Sequence, residues 1–541
     1  PVAWIDGTRV QLAPAQLLGQ GGEAEVYDLG DGRVLKWWKP ADHPDYEGLP
    51  DARAAAVQRL AEQPAKLRAL PGNLPTCVVA PCGFALASKR STAVVGYVMP
   101  KVTGTPLLSY GEPRWRREHP VDGAELVAML LALHDAIAGL HRAGIVIGDC
   151  NDLNVLVDGR RAHLIDVDSY QYGGYVCSMF SERFVDPRLC DAQLVPVRPH
   201  DADSDWFAFA VMAFRSLLNV GPWGGVHKHC SPSARALRRL SVLGAEIVYP
   251  RAARPIGVLP DDLLEAFRKI FETTMRGEFP RTLLERLRLR RCTTCGEEHA
   301  RVRCPACQAL AHVPPAVVHG RLRWQLVPLS DITLGTDEVT ARSAGTSSIP
   351  VWIAGDALMR RTRLGPERIG SVLAGQTRTW VGDKLGIGFY RAGGYAVGFV
   401  FRPDRGVLDD RVALPKIRGQ LVDAQATIGG DRAWLWLTCA NAGRITTTCI
   451  VIGADASVIA SETLEDAPWV AGITGACASA AHLFVPTDDG IARIQVVQGT
   501  IVQTRVFAET AALIGAGDRL AIDANGLAAI RRRDAIRMQL T

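Results

Sequence analysis

No run of about 18 uninterrupted apolar residues occurs in the 541-residue sequence, which argues against a membrane-spanning helix. The opening stretch "PVAWIDGTRVQLAP" lacks the basic and then apolar layout of a secretory signal. A soluble, cytoplasmic protein with no membrane partner is therefore expected. A disulfide framework is also missing: of 13 cysteines, four form two close CxxC pairs and the others are scattered, as suits a reducing compartment. Nor is there a large excess of charge. The formal net charge of +5 does not announce a nucleic-acid binder, so charge has to be read by region. What the chain does have is apolar residues, 48% of the total, enough to exclude global disorder and to divide into about three or four packed units.

Residues 16–39, "QLLGQGGEAEVYDLGDGRVLKWWK", alternate apolar and polar residues around two glycine turns and predict a three-stranded meander. Residues 51–70 are helix-rich, with Pro64 expected to divide them. Leu126, Leu130, Leu133, Ile137 and Leu140 step by four and three, which predicts the buried stripe of a long helix over 124–144. Further helices are expected over 204–218 and 261–276, the latter with Asp261 as N-cap. A proline-bearing stretch, "AHVPPAVVHG", reads as a linker. Beyond about residue 321 the chain becomes a series of apolar runs broken by glycine or aspartate turns. This texture predicts an all-β region, read as a β-propeller of about five blades, with two β-sandwiches as the alternative because no WD or kelch signature fixes the repeat.

Phosphoryl transfer needs a backbone cover over the phosphates, a cation to hold them, a group that positions the attacking hydroxyl, and oxygen ligands for magnesium. Candidates for all four occur in order. Gly19, Gly21 and Gly22 lie in a strand-turn-strand where backbone can approach phosphate, and Lys36 follows in the strand "RVLK". Asp149 and Asn154 stand five apart in "GDCNDLN" after the long helix, and Asp166 follows in "HLIDVD" after an expected hairpin.

On these residues the chain resembles the protein-kinase superfamily over roughly residues 10–285. The resemblance implies a bilobal fold, with an N-lobe and hinge over 1–103 and a C-lobe over 104–288. It implies ATP and Mg2+ as cofactors, with Lys36 on the α- and β-phosphates. Asp149 would be the catalytic aspartate of the H-R-D-x-x-x-x-N loop, and Asn154 and Asp166 the magnesium ligands. Val26 and Leu156 would sandwich the adenine, Met99 to Lys101 in "GYVMPKV" would form the hinge, and Asp205 in "SDWFAFAVMAF" would anchor the catalytic loop. "VMPKVTG", "GDCNDLN" and "LIDVDSYQ", followed by paired cysteines, are most similar to bacterial serine/threonine kinases of the TerY-associated group. That likeness implies a von Willebrand-type protein and a PPM-type phosphatase as partners.

The departures from the family pattern are local. Gly148 replaces the arginine before the catalytic aspartate, removing the usual partner of an activation-loop phosphate. Asn151 stands where many serine/threonine kinases carry a lysine, and Ala24 replaces the third glycine. Asp168 replaces the glycine of Asp-Phe-Gly. It is read as a solvent-facing turn residue, the other reading being a second acid near magnesium. Asp152 is read as polar filling, and Leu153 and Leu156 as buried anchors. For the carboxylate that pairs with Lys36, Glu62 is expected, with Glu47 as competitor.

Cys292, Cys295, Cys304 and Cys307 form "CTTCGEEHARVRCPAC", the spacing of a closed structural zinc site, so a zinc ribbon is expected over 289–312 and the all-β domain over 321–541. Arg286, Arg288, Arg290, Arg291, Arg301 and Arg303 surround the ribbon. They read as a solvated face rather than a nucleic-acid surface, because no aromatic platform is interleaved with them. The expected molecule is thus a multidomain α+β protein kinase acting on serine or threonine. The alternatives are a nucleotide-binding pseudokinase scaffold and a kinase-fold protein directed to nucleic acid.

Overall fold

The computed structural model describes all residues except 1, 251, 306, 308–321, 333–334, 341–348, 393–394, 417–418, 442–443, 465–466, 480, 524, 532–533 and 540–541. The linker expected over 311–320 lies outside the described residues. The architecture is mixed helix and sheet, with several sheets.

The first is a seven-stranded sheet, in spatial order Thr8–Gln11, Val2–Ile5, Gly83–Leu86, Val94–Pro100, Arg33–Trp38, Ala24–Asp28 and Leu17–Gln20. Every neighbouring pair is antiparallel. Alternation along its strands gives it two apolar faces. Ala3, Ile5, Tyr27, Leu35, Ala85 and Val98 close one of them, while Val34, Trp38, Tyr97 and Met99 on the other join the core of the helical region that follows.

That helical region is built on Gly123–Arg142 and Ala202–Leu218. The first starts at Asp122, whose carboxylate accepts from the Ala124 and Glu125 amides at 2.9 and 3.2 Å, and its five-residue stripe has no exposed surface. Among the described residues it is the one helix long and apolar enough to cross a membrane, but its apolar face is packed inside this core. Ala202–Leu218 begins with a reciprocal cap between Asp201 and Ser204 and is buried almost all round, the mark of a central helix.

Two helix expectations need correction. Pro50–Arg68 runs unbroken through Pro64: a proline late in a helix loses one backbone hydrogen bond, and packing of Leu67 and Lys66 outweighs that loss. The helix expected over 261–276 is Asp261–Glu272. Pro260 occupies the cap position, and the Asp261 carboxylate pairs with Arg301 instead of capping.

From Arg323 onward the described residues form five antiparallel sheets. Three are meanders of consecutive strands: Val351–Ala354 to Gly365–Ser371, Gln420–Gly429 to Val458–Thr463, and Cys477–Ala478 to Thr500–Phe507. A fourth, Arg378–Val381 to Val407–Lys416, gains Asp337–Val339 at its edge. In the fifth, Arg323–Pro328 pairs along its whole length with Asp534–Gln539, so the two ends of the β region are held in one sheet. These sheets touch both earlier regions: Arg114 donates to Gln425 at 2.6 Å, and Lys416 donates to the Pro44 carbonyl.

Leu133→Ala, deleting a fully buried side chain, is expected to destabilise the helical region by about 2–5 kcal/mol in urea unfolding, whereas Leu364→Ala at a fully exposed turn changes stability by no more than about 0.5 kcal/mol.

Candidate active site

The loop after the long helix is held by one buried acid. Asp205, in the first turn of Ala202–Leu218, has no exposed surface and accepts from the Ile147 amide at 2.7 Å, the Gly148 amide at 2.9 Å and His141 Nε2 at 2.9 Å. The clamp stretches Ile147 and Gly148 across the helix N-terminus and sets the direction of Asp149. Gly148 has φ +75°, and a Cβ there would lie 2.7 Å from Cys177 Cβ and 2.8 Å from its Sγ. No arginine fits at this position, which is the physical reason for the departure read in the sequence.

Asn151 braces the loop. Its Oδ1 accepts from the Leu153 and Asn154 amides at 2.9 and 3.3 Å, and its Nδ2 donates to the Asp149 carboxylate at 2.9 Å. Asn154 Nδ2 donates to the Asp149 carbonyl at 3.0 Å, and the Asn154 carbonyl accepts from the Ile165 amide at 3.0 Å, tying the loop to the approach to Asp166. Burial pushes the Asp149 carboxyl up to about 6, with the Asn151 bond opposing the shift. Two readings of this loop change. Asp152 is buried and paired with Arg215 and Arg183, while Leu153 and Leu156 are only half-buried.

The hairpin Val155–Asp158 and Arg161–Leu164 that follows the loop delivers Asp166 in a left-handed conformation, followed by the tight turn Val167–Ser169. Lys36 Nζ pairs with Asp166 Oδ1 and, at 2.6 Å, with Asp168 Oδ1. Burial works against the lysine's charge, but the two carboxylates outweigh it and hold Lys36 protonated. Asp168 also accepts from Tyr97 Oη at 3.0 Å and Trp38 Nε1 at 3.1 Å, and its carbonyl accepts from Lys66 Nζ at 2.7 Å and Gln63 Nε2 at 2.9 Å. Burial alone would raise the Asp168 carboxyl; Lys36, Trp38 and Tyr97 together hold it below the usual range. Burial raises that of Asp166, the charge of Asp168 adding to it and Lys36 opposing.

Asp168 is therefore not a solvent-facing turn residue. Glu62 is not beside Lys36 either: it is exposed and accepts from Gln58 at 3.0 Å, while Glu47 lies 3.9 Å from Lys416. From the same helix Gln63 and Lys66 donate to the Asp168 carbonyl, whereas the Glu62 side chain is exposed and engaged with Gln58. A second acid two residues after Asp166 was the available signal for this further contact of Lys36.

The glycine turn lies near the same charges, its Glu23 interacting with Lys36, Asp166 and Asp168. The Gly21 amide donates to the Ala24 carbonyl at 2.9 Å, while Lys39 Nζ and Tyr46 Oη hold the Gly21 and Gly22 carbonyls at 2.5 and 3.0 Å. A Cβ at Gly19 would meet nothing within 4 Å, and one at Gly21 only the Ala24 carbonyl at 3.7 Å, so protein packing does not fill the space these glycines leave. Val26 is directly opposite Lys36 in the sheet. Met99 is buried in the strand facing Val34, and Leu156 is half-buried in the hairpin. Lys101 is turned to Asp28 at 2.6 Å, and its amide donates to the Gly32 carbonyl.

The second constellation is the cysteine cluster. Arg290–Arg291 pairs with Glu298–His299 to form a small turn, and the Sγ atoms of Cys292, Cys295, Cys304 and Cys307 all lie within 4.8 Å of one another. Cys292 is 3.8 Å from Cys307 and Cys295 is 3.5 Å from Cys304, close to the roughly 3.8 Å between sulfurs in a tetrahedral thiolate cage with metal–sulfur bonds near 2.3 Å. The four thiols can hold one metal ion and leave no open position. Of the surrounding arginines, Arg301 is paired with Asp261 and Arg288 is turned onto the Glu285 and Leu287 carbonyls.

No family model matches the chain. It is 26% identical over 283 residues to "Protein kinase YegI" of Escherichia coli O157:H7, an alignment covering 48% of this chain and 41% of that protein. The chain is distantly similar to a protein kinase. It spans less than half the length of that relative, and the similarity supports a kinase-like family and no finer assignment.

Gly148→Ala, which combines a strained φ with a contact of 2.7 Å to Cys177, is expected to lower stability by about 1–3 kcal/mol in denaturant unfolding, and Cys177→Ala in the same chain is expected to return part of the loss.

Proposed function

We propose that the protein is an ATP-dependent protein kinase that transfers the γ-phosphate to a serine or threonine hydroxyl. The observation that carries this reading is the pairing of Lys36 with Asp166 close to the braced Asp149–Asn154 loop, beside a glycine turn in which no side chain packs against Gly19 or Gly21. Phosphoryl transfer is mostly positioning and charge stabilisation, and these are the groups that supply both. Lys36 binds the α- and β-phosphates, the backbone of Gly19, Gly21 and Gly22 approaches them, and Val26, Met99, Lys101 and Leu156 enclose the adenine. Asp149 orients the acceptor hydroxyl and takes its proton. Asn154 and Asp166 are the magnesium ligands; the ion, when bound, neutralises charge on the phosphates. Asn154 Oδ1 and Asp166 Oδ2 have no partner among the described residues, which suits that role.

In this reading the seven-stranded sheet and hinge over 1–103 are the N-lobe, and 104–288 the C-lobe. Residues 289–312 are a zinc ribbon with Cys292, Cys295, Cys304 and Cys307 as ligands. The five sheets of 321–541 are blades of a β-propeller, their ends joined through Arg323–Pro328 and Asp534–Gln539. The ribbon and the propeller recruit partners. By resemblance to the TerY-associated group, these include a von Willebrand-type protein and a PPM-type phosphatase, in the cytoplasm. A nucleotide-binding scaffold without transfer is the second reading, favoured by Asn151, which is engaged inside the loop and brings no cation to the γ-phosphate.

Phosphate transfer from γ-labelled Mg-ATP to the protein itself or to a protein acceptor separates the two. Asp149→Asn and Asp166→Ala are expected to lower it by at least about 10²-fold, and wild-type kcat/KM to rise with pH and level off above about 6, as Asp149 loses its proton. No transfer by wild-type protein would favour the scaffold. Metal analysis is expected to give one zinc per chain, lost on Cys295→Ser; a chain purified without any metal would remove the ribbon assignment.

A further inference from the structure

We propose that Asp168 is the positioning counter-ion of Lys36, so that the lysine is held by the segment following the metal acid and not by a carboxylate from the helix Pro50–Arg68. The purpose of this arrangement and the Mg-ATP arm of its test rest on the phosphotransfer reading; its geometry and the labelling test do not.

The two acids that meet Lys36 are not equivalent. The Asp166 side chain is 32% exposed and Asp168's only 7%. Asp166 Oδ1 meets Lys36, and its Oδ2 has no partner among the described residues, so it can turn to a cation without breaking any other bond. Asp168 has both oxygens engaged: Oδ1 with Lys36 and Tyr97, Oδ2 with Trp38. Moving it would strand an indole N–H and a phenol in the core, each costly to leave unpaired. Its backbone is fixed as well, because Gln63 and Lys66 both donate to its carbonyl. Asp168 is therefore the permanent partner and Asp166 the exchangeable one. The helix contributes neutral and cationic donors to the Asp168 backbone, so it stabilises the counter-ion without being one. Glu62, on the outer side of that helix, has no part in the arrangement.

A consequence is that Lys36 stays in place when Asp166 is engaged elsewhere. No helix movement is needed to bring in a carboxylate, because the counter-ion arrives with the same short turn that carries Asp166.

The test reads Lys36 directly. Acetic anhydride acetylates only neutral amines, and its reaction at Lys36 can be followed by mass spectrometry on folded full-length protein. A counter-ion whose loss lowers the lysine's pKa by one unit raises the free-amine fraction about tenfold at a given pH. Asp168→Asn is therefore expected to raise the Lys36 acetylation rate at pH 9 by about tenfold or more. Asp166→Asn is expected to raise it by a smaller factor than Asp168→Asn, because Asp168, fixed by Tyr97 and Trp38, keeps one carboxylate on the lysine. Glu62→Gln should leave Lys36 labelling and Mg-ATP affinity unchanged, while Asp168→Asn weakens Mg-ATP binding. If Asp166→Asn frees Lys36 as fully as Asp168→Asn, or if Glu62→Gln raises its labelling, the proposal is overturned. Should Asp168→Asn fail to fold by circular dichroism, Asp166→Asn and Glu62→Gln decide: protection retained in both supports the proposal, and protection lost in either defeats it. A wild-type chain that shows this labelling pattern but transfers no phosphate would refute the kinase reading and leave the counter-ion role standing.

Discussion

A carboxylate removed from water is tolerated only when its lone pairs are taken up by donors, and the whole candidate site hangs on one such group. Asp205 has no exposed surface and is met by two backbone amides and His141. Those two amides belong to Ile147 and Gly148, so satisfying the buried charge fixes the backbone that carries Asp149. The central helix Ala202–Leu218 in turn fixes Asp205, with aromatic and aliphatic residues on nearly every side. The chain of cause runs from an apolar helix, through one charge, to the direction of a reactive side chain.

A second buried charge set does the same for Lys36. Asp168 is held by an indole, a phenol and the lysine, and its carbonyl by Gln63 and Lys66. The sheet strand Arg33–Trp38 thereby becomes tied to the turn Val167–Ser169 and to the helix Pro50–Arg68. Three elements distant in sequence are cross-linked by one residue. Local geometry accounts for two departures from the kinase pattern: Gly148 is required by a left-handed backbone against Cys177, and Asn151 is a brace within its own loop.

The β region bears on both halves of this site. Arg114 reaches Gln425 from the helical side, and Lys416 reaches the Pro44 carbonyl on the side of the seven-stranded sheet. The cysteine module is docked with similar firmness: Arg254 pairs with Glu297 at 2.8 Å, and the Ala300 amide donates to the Val258 carbonyl at 2.8 Å.

Much was determined by sequence alone, where the signal is local. The period of Leu126, Leu130, Leu133, Ile137 and Leu140 marks a buried helix face because burial and helical geometry share one repeat. The glycine turns mark the meander, and the CxxC spacing marks the sulfur cluster, because turn and ligand geometry are set within a few residues. That Lys36, Asp149, Asn154 and Asp166 stand in this order is plain in the sequence; the structure adds that Lys36 meets Asp166 and Asn154 meets Asp149. The partner of each charge was left to the tertiary structure. Whether Glu62 or Asp168 meets Lys36 depends on how the helix Pro50–Arg68 docks and on the burial of Asp168 by Trp38 and Tyr97, contacts between segments up to 130 residues apart. Electrostatic pairing follows distance in space, and a single sequence carries distance only along the chain.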